Sequence, residues 1–180
     1  MKRLVLIAGL LFCVGLQSPL EAHKAKRYSD KETTADMSAT KSVFLGWVDL
    51  SSDKWATYGY GSQEDWATVI KRVNLAFQSV CTTERLSGKT VVAAKDSKDE
   101  NAAGQELYIK FSDVRVDPKT YFVYLSIHFI DPKTNAEVAS IPVRPYSGRI
   151  ASTFERYIRT ALDEVGEKIQ VEVTSAAAKK

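Results

Sequence analysis

Few side chains in this sequence are equipped for catalysis, and the two histidines and two cysteines come first. His128 lies inside the apolar and aromatic run Tyr121 to Ile130, and Cys81 lies in Ser79-Val80-Cys81-Thr82. A thiol whose proton passes to a neighbouring imidazole is a nucleophile, and a carboxylate such as Asp113 or Asp131 could orient the ring. A cysteine-dependent hydrolase would therefore rest on Cys81 and His128. The local sequence does not support it: no glycine-rich turn stands beside Cys81 to expose the sulfur or offer oxyanion N–H groups. Burial at the end of an apolar helical face is the commoner state of a lone cysteine. His128 reads as a semi-buried strand residue with a hydrogen-bond partner, and His23 lies in a polar leader.

Metal and carboxylate chemistry have as little to work with. No His, Cys or carboxylate cluster has ligand spacing. Asp96-Ser97-Lys98-Asp99-Glu100 offers oxygens to calcium but carries a lysine and lacks the glycine of a calcium loop. A two-carboxylate hydrolase needs acids that converge in a cleft, whereas these acids fall in turns and on outer helix faces. The expectation is a protein that is not an enzyme and uses no cofactor and no metal.

The most unusual local composition is Trp55-Ala56-Thr57-Tyr58-Gly59-Tyr60-Gly61, three aromatics in a glycine-punctuated loop. Aromatic faces beside flexible backbone suit sugar stacking or a partner's anchoring pocket, which makes Trp55, Tyr58 and Tyr60 the candidate ligand- or partner-binding residues. The same rings could instead cover the end of the core. Gly59-Tyr60-Gly61-Ser62 also presents backbone N–H groups to an anion ahead of a helix, but no lysine follows at phosphate-loop spacing and Glu64 and Asp65 would repel phosphate.

The elements that would position these residues are easier to read. Asp117-Pro118-Lys119-Thr120 and Asp131-Pro132-Lys133-Thr134 are turns of one spelling, in which Asp accepts from the following backbone and Pro presets φ. They divide Glu106 to Arg144 into a three-strand meander. In its central strand Tyr121, Val123, Leu125, Ile127 and Phe129 share the core face, and Phe122, Tyr124, Ser126, His128 and Ile130 share a mixed one. Leu107, Ile109 and Phe111 likewise oppose Tyr108 and Lys110. Pro142 marks Glu137 to Val143 as an edge strand.

Upstream, Ser42 to Leu50 is apolar on both faces, as in a central strand. Ser62 is the N-cap of a helix with Trp66, Val69, Ile70, Val73, Ala76 or Phe77, and Val80 on its apolar face and Lys71, Arg72, Asn74 and Gln78 outside. Thr90 to Ala94 is a short strand, and Asp96 to Gly104 a mobile loop. After Pro145-Tyr146-Ser147-Gly148, Ser152-Thr153-Phe154-Glu155 spells a capping box, with Phe154, Tyr157, Ile158, Ala161, Leu162, Val165 and Ile169 marking a second helix. Val171 and Val173 suggest a last short strand.

The N-terminus sets the compartment. Lys2 and Arg3 precede an apolar run from Leu4 to Leu16, too short for a permanent span, and Leu20-Glu21-Ala22 offers a cleavage point, so residues 1–22 read as a secretory signal peptide. Phe12 before Cys13 is not the small residue a lipid-anchoring cysteine ordinarily follows. Residues 23–41 read as a flexible leader, 42–174 as a single α/β domain and 175–180 as a disordered tail. The net charge of +3, spread over interspersed acids and bases, gives no concentrated basic face for nucleic acid. The mature chain is expected to hold no transmembrane segment and to be periplasmic or extracellular.

Strand, helix, strand, meander and helix make an α+β fold, a two-layer sandwich with two amphipathic helices on one face of a mainly antiparallel sheet. Over roughly Ser42 to Val173 that element order, behind a signal peptide, resembles the small α/β modules of bacterial envelope assemblies, such as the N-terminal domain of the Tol-Pal propeller protein and the lipoprotein activators of penicillin-binding proteins. The resemblance implies a noncatalytic module that docks to another envelope protein. The absence of a lipid-anchor signature departs from many of those modules. The alternative reading is a secreted glycan or small-ligand binder using the aromatic loop 55–60.

Overall fold

Alternating apolar residues in β-branched runs need a layer to bury against, and the two helical stripes supply it. The computed structural model describes residues 36–51, 62–117, 122–144 and 153–174. Its elements are β1 (Ser42–Leu45), α1 (Gln63–Val80), β2 (Thr90–Ala93), β3 (Leu107–Val116), β4 (Val123–Asp131), β5 (Ala136–Val143) and α2 (Phe154–Thr174). The strands form one sheet in the order β2-β1-β3-β4-β5. Strands β3, β4 and β5 are the antiparallel meander, with the Pro142-bearing strand at the edge. Strand β1 is central and pairs with both β2 and β3 in parallel, so the sheet is mixed.

The core lies between one face of the sheet and both helices. Val43, Leu45, Leu107, Ile109, Val123, Leu125, Ile127 and Phe129 meet Trp66, Val69, Val73 and Phe77 of α1 and Ile158, Leu162, Val165 and Ile169 of α2. These are the strand positions that period-2 alternation assigns to the core. Helix α1 starts where expected, Ser62 Oγ accepting from the Asp65 N–H at 3.1 Å. Its last turn opens into a π turn, Cys81–Arg85, closed by the Leu86 N–H on the Cys81 carbonyl at 2.8 Å. Cys81 is buried there, with Gly166 of α2 close to its sulfur.

Several expectations change in detail. Asn74 and Gln78, assigned to the outer face of α1, are buried, and Leu75 is exposed instead. Asn74 Oδ1 accepts from the Val48 N–H at 2.8 Å and its Nδ2 donates to the carbonyls of Val48 and Ile70. Gln78 Nε2 donates to the Ala94 carbonyl at 2.9 Å. One helical turn apart, the two amides satisfy chain leaving β1 and β2, where ladder partners stop. A buried amide with its partners is as much core as a leucine, and periodicity of hydrophobic residues alone does not find it.

Strand β1 ends at Leu45 because Gly46 turns in, its N–H on the Ile109 carbonyl at 2.8 Å. The last strand suggested by Val171 and Val173 is absent: α2 runs on to Thr174, with Val173 buried one turn beyond Ile169 and Val171 exposed. Thr153 Oγ1 accepts from the Arg156 N–H at 3.3 Å at the start of α2, and Glu155 pairs with Arg72 and Arg159, while Ser152, the expected cap, lies outside the described residues. The end of the stretch read as a leader is folded, since Met37 is buried and Lys89 Nζ donates to the carbonyls of Ser38 and Thr40.

Candidate functional site

The second face of the sheet is where polar chemistry collects. Over β1 it is apolar: Phe44 and Tyr108 meet edge to face at 5.4 Å and are covered by Ala94 and Ala102. Residues 96–104, expected to be mobile, form this cover. Lys98 N–H donates to Asp96 Oδ1 at 2.8 Å, Lys95 N–H to Asp99 Oδ2 at 3.0 Å, and Glu100 pairs with Lys110 at 2.8 Å. Asp96 and Asp99 thus stabilise their own loop. Burial, then the charges of Glu100 and Asp99, push the Tyr108 hydroxyl up to about 12.

Over β3, β4 and β5 the same face carries a polar row. His128 Nε2 stands 2.7 Å from Ser112 Oγ, and His128 Nδ1 stands 2.7 Å from Glu137 Oε2 and 3.2 Å from Ser140 Oγ. Ser112 Oγ is also 3.0 Å from Asp113 Oδ2. A serine, a histidine and a glutamate are thereby joined in hydrogen-bond order. Cys81 is not part of it: the thiol is buried under the helices, burial pushing it up to about 12, while His128 alternates onto the other face. The structure therefore separates the two residues on which a cysteine hydrolase would depend, and of the two carboxylates named with them Asp113 reaches Ser112 while Asp131 caps its own turn.

Two β-bulges aim the side chains of this face. Between Ser112 and Arg115, strand β3 sets two residues opposite the single Leu125, so Arg115 falls opposite Tyr124 on the second face and Val116 returns to the core. Asp113, inside the bulge, has φ 54, a left-handed conformation uncommon outside glycine. Between Phe129 and Ile130, the extra residue Val138 on β5 brings Glu137 opposite Ile130, on the face of His128. Without these one-residue slips both charges would point at the core.

Beside the row lies a hollow of about 530 Å³ lined by Asp113, Val114, Arg115, Tyr124, Leu125, Ser126, Pro142 and Val143. The Arg115 guanidinium stacks 4.5 Å from the centre of the Tyr124 ring. The Arg144 guanidinium lies 5.0 Å from the same ring and 4.2 Å from that of Phe122. Neither arginine forms an ion pair among the described residues. No group of three His, Cys, Asp or Glu side chains able to hold a metal ion occurs among the described residues.

Sequence reasoning placed His128 on the mixed face but missed Ser112, Glu137, Arg115 and Arg144. Two signals pointed to them. Phe111, Val114 and Val116 step by three and then two, which reveals the slip in β3, and Glu137 occupies a slot that the alternation of Ala139, Ile141 and Val143 would turn inward. Trp55, Tyr58 and Tyr60 lie outside the described residues.

No protein-family model matches the chain, and no curated protein does. Among solved structures it is similar to a Helicobacter pylori protein described as a neuraminyllactose-binding hemagglutinin homolog, with 15% identity and a TM-score of 0.36 over 79% of this chain and 85% of that one. A likeness of that degree leaves the function to be argued from the chain itself.

Proposed function

We propose that this chain is an exported, noncatalytic binding and assembly module of the bacterial cell envelope, which meets its partner with the sheet face opposite its helices. The observation that carries the reading is the division of the sheet. One face is filled by α1 and α2, while over β3 to β5 the other holds half-buried Ser112, Tyr124, Ser126, His128 and Ser140 beside a hollow. Half-buried polar and aromatic side chains on a rigid sheet form a surface that a partner can desolvate at little ordering cost. Edge strand β5 adjoins that surface and can be extended by a partner strand. Export is supported by Lys2, Arg3 and the run Leu4 to Leu16. No described helix is long and apolar enough to cross a membrane.

The test is capture of the tagged, signal-processed protein from crosslinked envelopes of its own organism, beside a Ser140→Arg variant, with mass spectrometry reading partners and the N-terminal residue. A partner held by the wild type and lost from the variant supports docking on this face. A partner kept by the variant but lost from a Trp55→Ala, Tyr58→Ala protein moves the site to the aromatic loop. A mature start at Cys13 would replace a soluble module with a lipid-anchored one.

A second reading is favoured by one arrangement, the chain Ser112–His128–Glu137, which has the order of a serine hydrolase's relay. Against it, the single Ser112 hydroxyl proton has Asp113 as a competing acceptor, and Ser112 belongs to the ladder of β3 and β4 rather than to a sharp turn that exposes a nucleophile. A fluorophosphonate probe is expected to leave Ser112 unmodified. Labelling of Ser112 that His128→Ala abolishes would make the protein a hydrolase.

A further inference from the structure

We infer that the hollow at the β3 bulge is a binding site for a carboxylated sugar, with Arg115, which lines it, and Arg144, which reaches the same Tyr124 ring from the end of β5, holding the carboxylate. The inference rests on reading this face as a binding surface, though not on which protein docks there. Arg115 and Arg144 both stack on Tyr124, so two like charges are held at a single side chain with no ion pair among the described residues. Stacking uses the faces of the guanidinium planes and leaves their N–H edges free to take a carboxylate in two-point contact. An anion bound at those N–H edges would offset the positive charge gathered around Tyr124, which makes a negative group the natural occupant.

The lining of the hollow indicates what carries that anion. Pro142 and the Tyr124 ring offer apolar surface, against which the C–H face of a pyranose packs. The Ser126 hydroxyl can donate and accept, and the Asp113 carboxylate can only accept, so both suit hydroxyl groups. Asp113 also weighs against a bare phosphate, whose higher charge it would repel, and in favour of a singly charged ligand with hydroxyls at its other end. The volume of about 530 Å³ is in the range of small-ligand sites. Asp113 keeps an uncommon φ of 54 at this point, and the bulge that imposes it is what brings Arg115 onto the face.

The experiment is an isothermal and NMR titration of the signal-processed chain with D-glucuronate and D-galacturonate, their neutral counterparts D-glucose and D-galactose, and inorganic phosphate. At least one acid is expected to bind at millimolar concentration, more weakly at high salt, and to shift the amide resonances of Tyr124 and Ser126, while the neutral sugars do not bind. Arg115→Gln and Arg144→Gln, at exposed positions that leave the fold intact, should each weaken binding about tenfold. No saturable binding of either acid overturns the inference, as does equal binding of the neutral sugars or indifference to both substitutions. Phosphate binding as tightly as the acids would overturn the sugar and leave a plain oxyanion site. Any of these failures leaves partner capture on the neighbouring β5 edge standing, so the two ideas are separable.

Discussion

The side chains that hold this molecule to one structure include two that hydrophobic patterning assigns to solvent. Asn74 makes three hydrogen bonds to backbone in a dry site. Asn74→Ala would leave the N–H and C=O of Val48 buried without partners, and the expected loss in urea denaturation is about 3 kcal/mol. Leu75→Ala, one residue away but 51% exposed, should change stability by less than about 1 kcal/mol. Cys81 gives a pH-dependent prediction. An unfolded thiol ionises near 9.0 and the buried one near 12, so the folded state keeps a proton that the unfolded chain gives up. The contribution is complete below pH 9.0 and is lost as pH rises towards 12, amounting to about 1 kcal/mol by pH 10. Denaturation at pH 8 and pH 10 should show a smaller fall for Cys81→Ala, and the native thiol should react with a disulfide reagent only after unfolding.

At the scale of elements, the sites of closest approach differ in how much they tolerate. A β-carbon at Gly46 would stand 2.8 Å from the Ile109 carbonyl oxygen, whereas one at Gly166 would meet Cys81 Sγ at 3.5 Å, an ordinary contact. Gly46→Ala should therefore cost about 1–3 kcal/mol in thermal or urea unfolding, and Gly166→Ala should be near neutral because helix propensity offsets the tighter fit. In the turn between β4 and β5, Asp131 accepts from the Lys133 N–H and the Thr134 hydroxyl, which hold its carboxyl below the usual value. That support is present above the ordinary carboxylate pKa and is lost as pH falls through the lowered one, so Asp131→Ala should lower the Tm at pH 7 and flatten its acid dependence. Asn135 follows with φ 56, and Asn135→Val should lower Tm where Asn135→Gly does not.

These elements also show why some of the protein was legible and some was not. The meander, both helices and their core faces follow from Tyr121 to Ile130, from the Asp-Pro-Lys-Thr turns and from stripes such as Ile158, Leu162 and Val165, because burial writes a period into the sequence. A bulge changes that period by a single residue, and a buried asparagine has the composition of a surface one. The face built from Ser112, Arg115, Glu137 and Arg144 depends on both of the bulges, so its members were visible as residues but not as neighbours.

For the whole molecule, strand order matters as much as strand content. β1 is the first of the described strands but lies inside the sheet, second from one edge, and its partners β2 and β3 follow it. The Glu106 N–H reaches back to Ser42 Oγ across 64 positions. The meander is local by comparison, so it is expected to form first. Ile127→Val should then give a folding φ-value of about 0.5 or more, and Val43→Ala one of about 0.3 or less. The reverse ranking would mean that β1 organises the nucleus.

That geometry has a consequence for delivery. A chain emerging N-terminus first, from a ribosome or through a membrane pore, presents Val43, Phe44 and Leu45 long before Leu107–Ile109 exist to receive them. Until β3 arrives, β1 has only the short parallel β2 beside it, and its other edge stays open. A strand made early and seated late keeps the leading part of the chain extensible until residues 107–109 have emerged.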